Sequence, residues 1–213
     1  MAVGRRASFT ASLAAATGPA GPYAGVIFDQ AGNLYGTTAS GGTPYQLTLS
    51  GSGWAENTLH TFQYHGDGTF PYGGLIFDES GNLYGTTSID EPLNGGTVYE
   101  LEPSSGNWAF ALLHSFFFSG AGCCPGPLGS LIIDTVGNLY GTTSGEGAHL
   151  EGNVFKLSPS NGGWTYTSLH DFTGGSDGGF PYGSLVFDAN GNLYGTTSFG
   201  GAYDGVVVFE ITP

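Results

Sequence analysis

Positive charge is almost missing from this sequence. Arg5, Arg6 and Lys156 are its only Lys or Arg residues, against 17 acidic ones, and the formal net charge is −14. Nucleic-acid binding rests on Lys and Arg that neutralise phosphates and release counterions. Attraction to an anionic membrane surface needs the same residues. Nucleic acid is therefore not an expected partner. Cysteine is nearly missing too. Cys123 and Cys124 are adjacent, so they cannot staple distant strands to each other, and no zinc-type spacing is present. Two free thiols or a strained vicinal disulfide both fit these positions. No apolar run approaches the roughly 18 residues of a membrane-spanning helix, so membrane insertion is not expected. The sequence also holds no Gly-x-Ser-x-Gly, His-Glu-x-x-His, phosphate-loop or dinucleotide fingerprint.

What the sequence does hold is glycine and a repeat. Gly is 40 of 213 residues without a collagen period, and Pro is only 11. Gly32-Asn33-Leu34-Tyr35-Gly36-Thr37-Thr38 recurs unchanged at 81–87, 137–143 and 191–197. Each copy follows an apolar run ending in Asp29, Asp78, Asp134 or Asp188. A period of about fifty residues signals a repeat architecture.

One unit is clearest from Pro71 onward. Residues 74–78 form an apolar strand and 79–82 a turn. Residues 83–87 form a second strand rich in aromatic and β-branched residues. A third strand spans 97–102 and a fourth 108–116, with no helical periodicity anywhere. A four-stranded meander that cannot bury both faces alone must stack on its neighbours, and radial stacking gives a β-propeller. The expected fold is all-β, a single propeller domain of four four-stranded blades. The blades fall at about 23–65, 72–118, 127–174 and 181–213. The last unit stops at its third strand, and residues 7–15 align with a fourth strand. The N-terminal strand is thus expected to close the last blade and hide its edge. The competing arrangement is a half-ring that pairs with a second chain into eight blades. A monomer is the favoured expectation, a homodimer the other.

The order Leu-His-x-Phe, Gly175-Ser176-Asp177-Gly178, Pro-Tyr-Gly, Asp-x-x-Gly-Asn-Leu-Tyr-Gly-Thr-Thr, then Asn153-Val154-Phe155-Lys156-Leu157 resembles the GloVer tandem repeat of bacterial choice-of-anchor proteins. The resemblance covers about residues 7–213. The hairpin is more distantly similar to the two-component-regulator propeller repeat. This resemblance implies a secreted or cell-surface protein, often carrying a C-terminal sorting anchor, and brings no catalytic residues with it. The sequence ends at Ile211-Thr212-Pro213 with no such anchor and lacks a convincing signal peptide, so one expectation is a partial chain.

The four aspartates suggest calcium at first sight. One carboxylate per hairpin falls short of the six to eight oxygens calcium takes, and capping of the turn is the expected role. His60, His114 and His170 are equivalent and are expected to pack or hydrogen-bond within each blade. Tyr35, Tyr84, Tyr140 and Tyr194, with Trp54, Trp108 and Trp164, are expected between blades. No metal or cofactor is expected.

The loops from each fourth strand to the next first strand are the candidate binding surface, because loops on a rigid scaffold carry function. They hold Tyr64, His65, Asp67, Phe70 and Tyr72 in one copy and Asp177, Phe180 and Tyr182 in another. Aromatic, acidic and glycine residues together suit a glycan or protein ligand. The expected function is a non-catalytic, extracellular or cell-surface binding module. Two alternatives stand beside it. One is a polysaccharide hydrolase or lyase using loop acids such as Asp90, Glu91, Glu146 and Glu151. The other is a self-assembling structural repeat.

Overall fold

The computed structural model describes residues 21–39, 42–51, 53–63, 65–90, 94–117, 126–203 and 205–213. Among them there is no helix, and fifteen strands form four antiparallel sheets side by side, a β-propeller of four blades. Blade one is β1 (Ile27–Phe28), β2 (Leu34–Thr38), β3 (Thr43–Ser50) and β4 (Gly53–Thr58). Blade two is β5 (Ile76–Phe77), β6 (Leu83–Thr87), β7 (Asn94–Ser104) and β8 (Asn107–Phe117). Blade three is β9 (Ile132–Ile133), β10 (Leu139–Thr143), β11 (Asn153–Ser160) and β12 (Gly163–Asp171). Blade four contributes β13 (Val186–Phe187), β14 (Leu193–Thr196) and β15 (Val208–Ile211). Strands pair in sequence order within every blade. The fourth strand assigned to residues 7–15 lies outside the described residues, as do Cys123 and Cys124.

Each letter of the repeated heptapeptide has a structural task. In blade two, Asp78 accepts from the Ser80 and Asn82 backbone N–H groups at 2.8 and 2.9 Å and from the Asn82 side-chain amide at 3.0 Å. Asp29, Asp134 and Asp188 repeat this pattern. Gly81 has φ +90°, which a β-carbon would resist. Leu83, Leu139 and Leu193 are fully buried. The Tyr35, Tyr84 and Tyr140 hydroxyls reach back to the capping aspartate at 3.0–3.2 Å. The next glycine lies beneath an aromatic ring of the third strand. A β-carbon on Gly85 would fall 2.4 Å from the Tyr99 hydroxyl, and one on Gly141 2.6 Å from Phe155 Cζ.

The two threonines point different ways. Thr37, Thr86 and Thr142 donate across to the next blade, to the carbonyls of Gly73, Gly129 and Gly183 at 3.0, 3.4 and 3.1 Å. Thr38, Thr87 and Thr143 instead hold the third strand of their own blade, through Thr43, Thr97 and Asn153.

The core lies between blades rather than within them. One cluster joins Tyr35 of blade one to Leu75, Tyr99 and Leu101 of blade two. A second joins Tyr84 and Val98 to Leu131, Phe155 and Leu157. A third joins Tyr140 and Val154 to Leu185 and Leu193. Tyr35, Tyr84 and Tyr140 lie between blades as expected, and so do Trp108 and Trp164. Trp108 packs on Tyr35 at 5.9 Å and Trp164 on Tyr84 at 6.0 Å between ring centroids.

The glycine beneath the ring supplies a direct test. Gly85→Ala and Gly141→Ala force the ring or the strand to shift, and each is expected to cost about 1–3 kcal/mol. Urea unfolding of the two variants checks this. A midpoint unchanged from the parent would show that the close contact carries no constraint.

Candidate functional site

The loops that join blades lie at the end of the sheets opposite the aspartate hairpins. The capped turn closes the far end of each first strand, and the joining loop enters its near end. The loop before blade two bridges to the loop after β6, with Thr69 N–H donating to the Ile89 carbonyl at 2.8 Å. The loop before blade four bridges likewise, Gly179 N–H to the Phe199 carbonyl at 2.9 Å. The candidate surface is therefore made of paired loops.

Its acids turn out to be clasps. Asp67 accepts from His60 Nε2 at 2.9 Å and from the Gln63 backbone N–H at 2.8 Å. Asp177 accepts from His170 Nε2 at 3.2 Å, from the Thr173 N–H at 3.1 Å and from the Thr173 hydroxyl. Burial pushes the Asp177 carboxyl up, but the Thr173 and His170 bonds outweigh it and hold the group below its ordinary range. Asp90, proposed as a loop acid, is itself buried and accepts from Gly66 N–H at 2.8 Å. Burial raises its carboxyl despite that bond. These acids shape the loops.

The three equivalent histidines also stack on the following blade where it has an aromatic fourth strand. His60 lies 4.1 Å from the Phe110 ring and His114 4.5 Å from the Tyr166 ring, both nearly parallel. Among the described residues no aspartate clasps His114, and burial lowers its basicity. No group of three or more His, Cys, Asp or Glu residues able to hold a metal is found among the described residues.

The aromatic residues are what the surface presents. Phe70 and Tyr72 rings are parallel at 6.2 Å, and Tyr72 meets Tyr23 edge to face at 5.2 Å. Tyr23 is 72% exposed and Tyr182 51% exposed. Phe180 packs against Phe199 at 6.2 Å. His65 is exposed at the edge of the first of these loops. Tyr64 lies outside the described residues, and so does Glu91. The structure thus brings Phe70 and Tyr72 together and places Phe180 and Tyr182 at the equivalent points of another blade. It adds Tyr23, whose Pro-Tyr pair matches Pro71-Tyr72 and Pro181-Tyr182 in the repeat.

Phe70 and Phe180 have φ of +54° and +51°. A bulky side chain in this left-handed region costs about 1–3 kcal/mol and is kept only where its surroundings impose it. The equivalent positions in blades one and three are Gly21 and Gly126.

Glu146 and Glu151 lie in the long loop between β10 and β11. Glu146 Oε1 is buried against Gly95 of blade two and makes no hydrogen bond among the described residues. Burial pushes its carboxyl up to about 7. Asp171, at the end of β12, has its carboxylate against Gly147 of the same loop.

Two titrations follow. Burial raises the Asp134 carboxyl, but the Asn138, Val136 and Tyr140 bonds together hold it low. A depressed carboxyl stabilises the fold above its unfolded value of about 4, and that stability is lost as pH falls through the lower folded value. Asp134→Asn is expected to flatten the melting-temperature profile below about pH 4. Glu146 has the opposite sign. Its folded value lies above the unfolded one, so stability is full below about pH 4 and falls as pH rises towards 7. Glu146→Gln is expected to stabilise the protein at pH 8 by about 2 kcal/mol and to leave pH 4 unchanged. Thermal melts across this range read both variants.

Residues 2–209 match the model of the Gloeobacter/Verrucomicrobia repeat family. No curated protein matches the chain. Among solved structures, a protein of unknown function from Dyadobacter fermentans overlays 88% of this chain at 11% identity, with a TM-score of 0.51. A putative gluconolactonase overlays 89% of it at 18% identity, with a TM-score of 0.49. The chain spans 63% of the length of each of these structures.

Proposed function

Since the chain belongs to the Gloeobacter/Verrucomicrobia repeat family, we propose that it is a non-catalytic binding module outside the cell or on its surface, with a glycan as ligand. The row formed by Tyr23, Tyr72 and Phe70 carries this reading. Exposed Tyr23 and half-buried Tyr72 and Phe70, beside fixed polar groups, suit the apolar faces and hydroxyls of sugar rings. The net charge of −14 favours a neutral glycan over an acidic one. A protein surface is the other ligand class that such a face fits.

Titration with neutral oligosaccharides of several linkages, followed by calorimetry, tests the reading. Saturable binding without new reducing ends is expected. Tyr72→Ala is expected to weaken it about tenfold, the value of roughly one stacked ring. Phe70→Gly relieves the left-handed strain while removing the ring, so it is expected to weaken binding with a melting temperature close to the parent's. Absence of saturable binding across the panel would sink the glycan reading.

Glu146 favours a second reading, hydrolysis or lysis of a polysaccharide. A carboxyl group kept protonated near neutral pH is suited to general acid catalysis, and Asp171, at the end of β12, sets another carboxylate against the loop that carries Glu146. Under this reading new reducing ends accumulate and Glu146→Gln abolishes them.

A further inference from the structure

The blades stack in one sense, and each interface is built from the same two sides. The trailing side of a blade presents its repeated tyrosine, the outward threonine and a third-strand Val or Pro. The leading side of the next blade covers it with the leucine and the Phe or Ile that precede the capping aspartate. Phe77 lies edge-on to Tyr35 at 5.1 Å and Phe187 to Tyr140 at 5.3 Å. Leu75, Leu131 and Leu185 are buried in these interfaces, as are Val98 and Val154.

The same positions are bare at the two ends of the blade row. On blade one, Val26 stands where the leucines stand and is 46% exposed, and Phe28 is 65% exposed. On blade four, Val208 is the counterpart of Val98 and Val154, yet it is 74% exposed. Thr196, counterpart of the three threonines that bond the next blade, is exposed and meets no such carbonyl among the described residues. The two surfaces are therefore complementary halves of an interface that the chain already forms three times, and they do not meet among the described residues.

We propose that a second copy of this chain covers them. The leading side of blade one in each copy packs on the trailing side of blade four in the other. Phe28 then lies on the partner's Tyr194 as Phe77 lies on Tyr35, and Thr196 donates to the partner's Ala24 carbonyl as Thr37 donates to Gly73. Two such contacts related by a twofold axis close a ring of eight blades and leave neither face open. Exposed apolar surface that repeats an internal interface is a docking surface rather than an incidental patch. One position differs from the internal interfaces. Glu56 occupies the fourth-strand place of Phe110 and Tyr166, so the ring stacking seen with His60 and His114 is not reproduced there. The contact between copies is accordingly weaker than the contact within a chain. This inference rests on the blade geometry and is independent of the glycan reading.

Light scattering on the full 213-residue chain at tens of micromolar tests it. The expected mass is twice 21.9 kDa. Phe28→Asp and Val208→Asp are each expected to give a 21.9 kDa species with an unchanged β-sheet circular dichroism spectrum, since both side chains are exposed within one chain. An equimolar mixture of the two variants keeps one intact pair of faces and is expected to recover the doubled mass. A parent that stays at 21.9 kDa overturns the proposal, and the chain's own residues before 21 then become the candidate cover. A doubled mass that survives both substitutions overturns it equally, because the copies then meet elsewhere.

Discussion

No blade of this protein can bury its own two faces. A three- or four-stranded sheet with short strands has apolar side chains on both sides, and each side finds its cover only on the neighbouring blade. The three core clusters all straddle a pair of blades, and each pairs a repeated tyrosine or valine of one blade with a leucine of the next. Stability is then close to a sum of nearest-neighbour interfaces, as in other repeat proteins. The interior of the row is well covered and its ends are not. The unequal exposure of Val98 and Val208, which hold the same place in two blades, follows from this constraint alone.

The invariance of the repeated heptapeptide has the same origin. Its residues serve two partners at once. Gly85 makes room for Tyr99 within the blade, while Thr86 beside it reaches Gly129 in the next. Changing either residue disturbs a different interface, so each position is fixed by its own neighbour. The tyrosine is constrained from both directions. Its hydroxyl bonds the capping aspartate of its own hairpin, and its ring is packed by the following blade. Burial and the bond to Asp29 together raise the Tyr35 hydroxyl to about 12, which keeps it a donor at physiological pH.

Much of this was legible in the sequence because it is local or periodic. Aspartate capping of the x-x-Gly-Asn turn involves residues two and four places apart, and the strand order within a blade follows from short turns. The placement of tyrosine and tryptophan between blades follows from their recurrence. The joining-loop acids carry a less obvious signal. Asp67 and Asp177 stand seven residues after His60 and His170, and the equal spacing was the signal of a clasp. Tyr23 was missed as part of the aromatic row although its Pro-Tyr pair was visible. The burial of Glu146 was not readable at all. It depends on a loop of blade three reaching Gly95 of blade two, where the missing β-carbon leaves it room.

The aromatic loops stand apart from the rest of the fold in how they are held. At the turn of each capped hairpin the backbone conformation and the residue agree, with glycine at the positive-φ position, and among the described residues only Phe70, Ser105, Leu150 and Phe180 take a positive φ without being glycine. At Phe70 and Phe180 they disagree, whereas the sequence has glycine, Gly21 and Gly126, at the equivalent place in two other blades. The following Pro71 and Pro181 are buried and limit how the chain can enter the first strand. In both blades the strained, half-buried phenylalanine stands beside an exposed or half-exposed tyrosine. That separates the loop face from the interblade tyrosines, whose rings are equally conspicuous in the sequence but are consumed by packing.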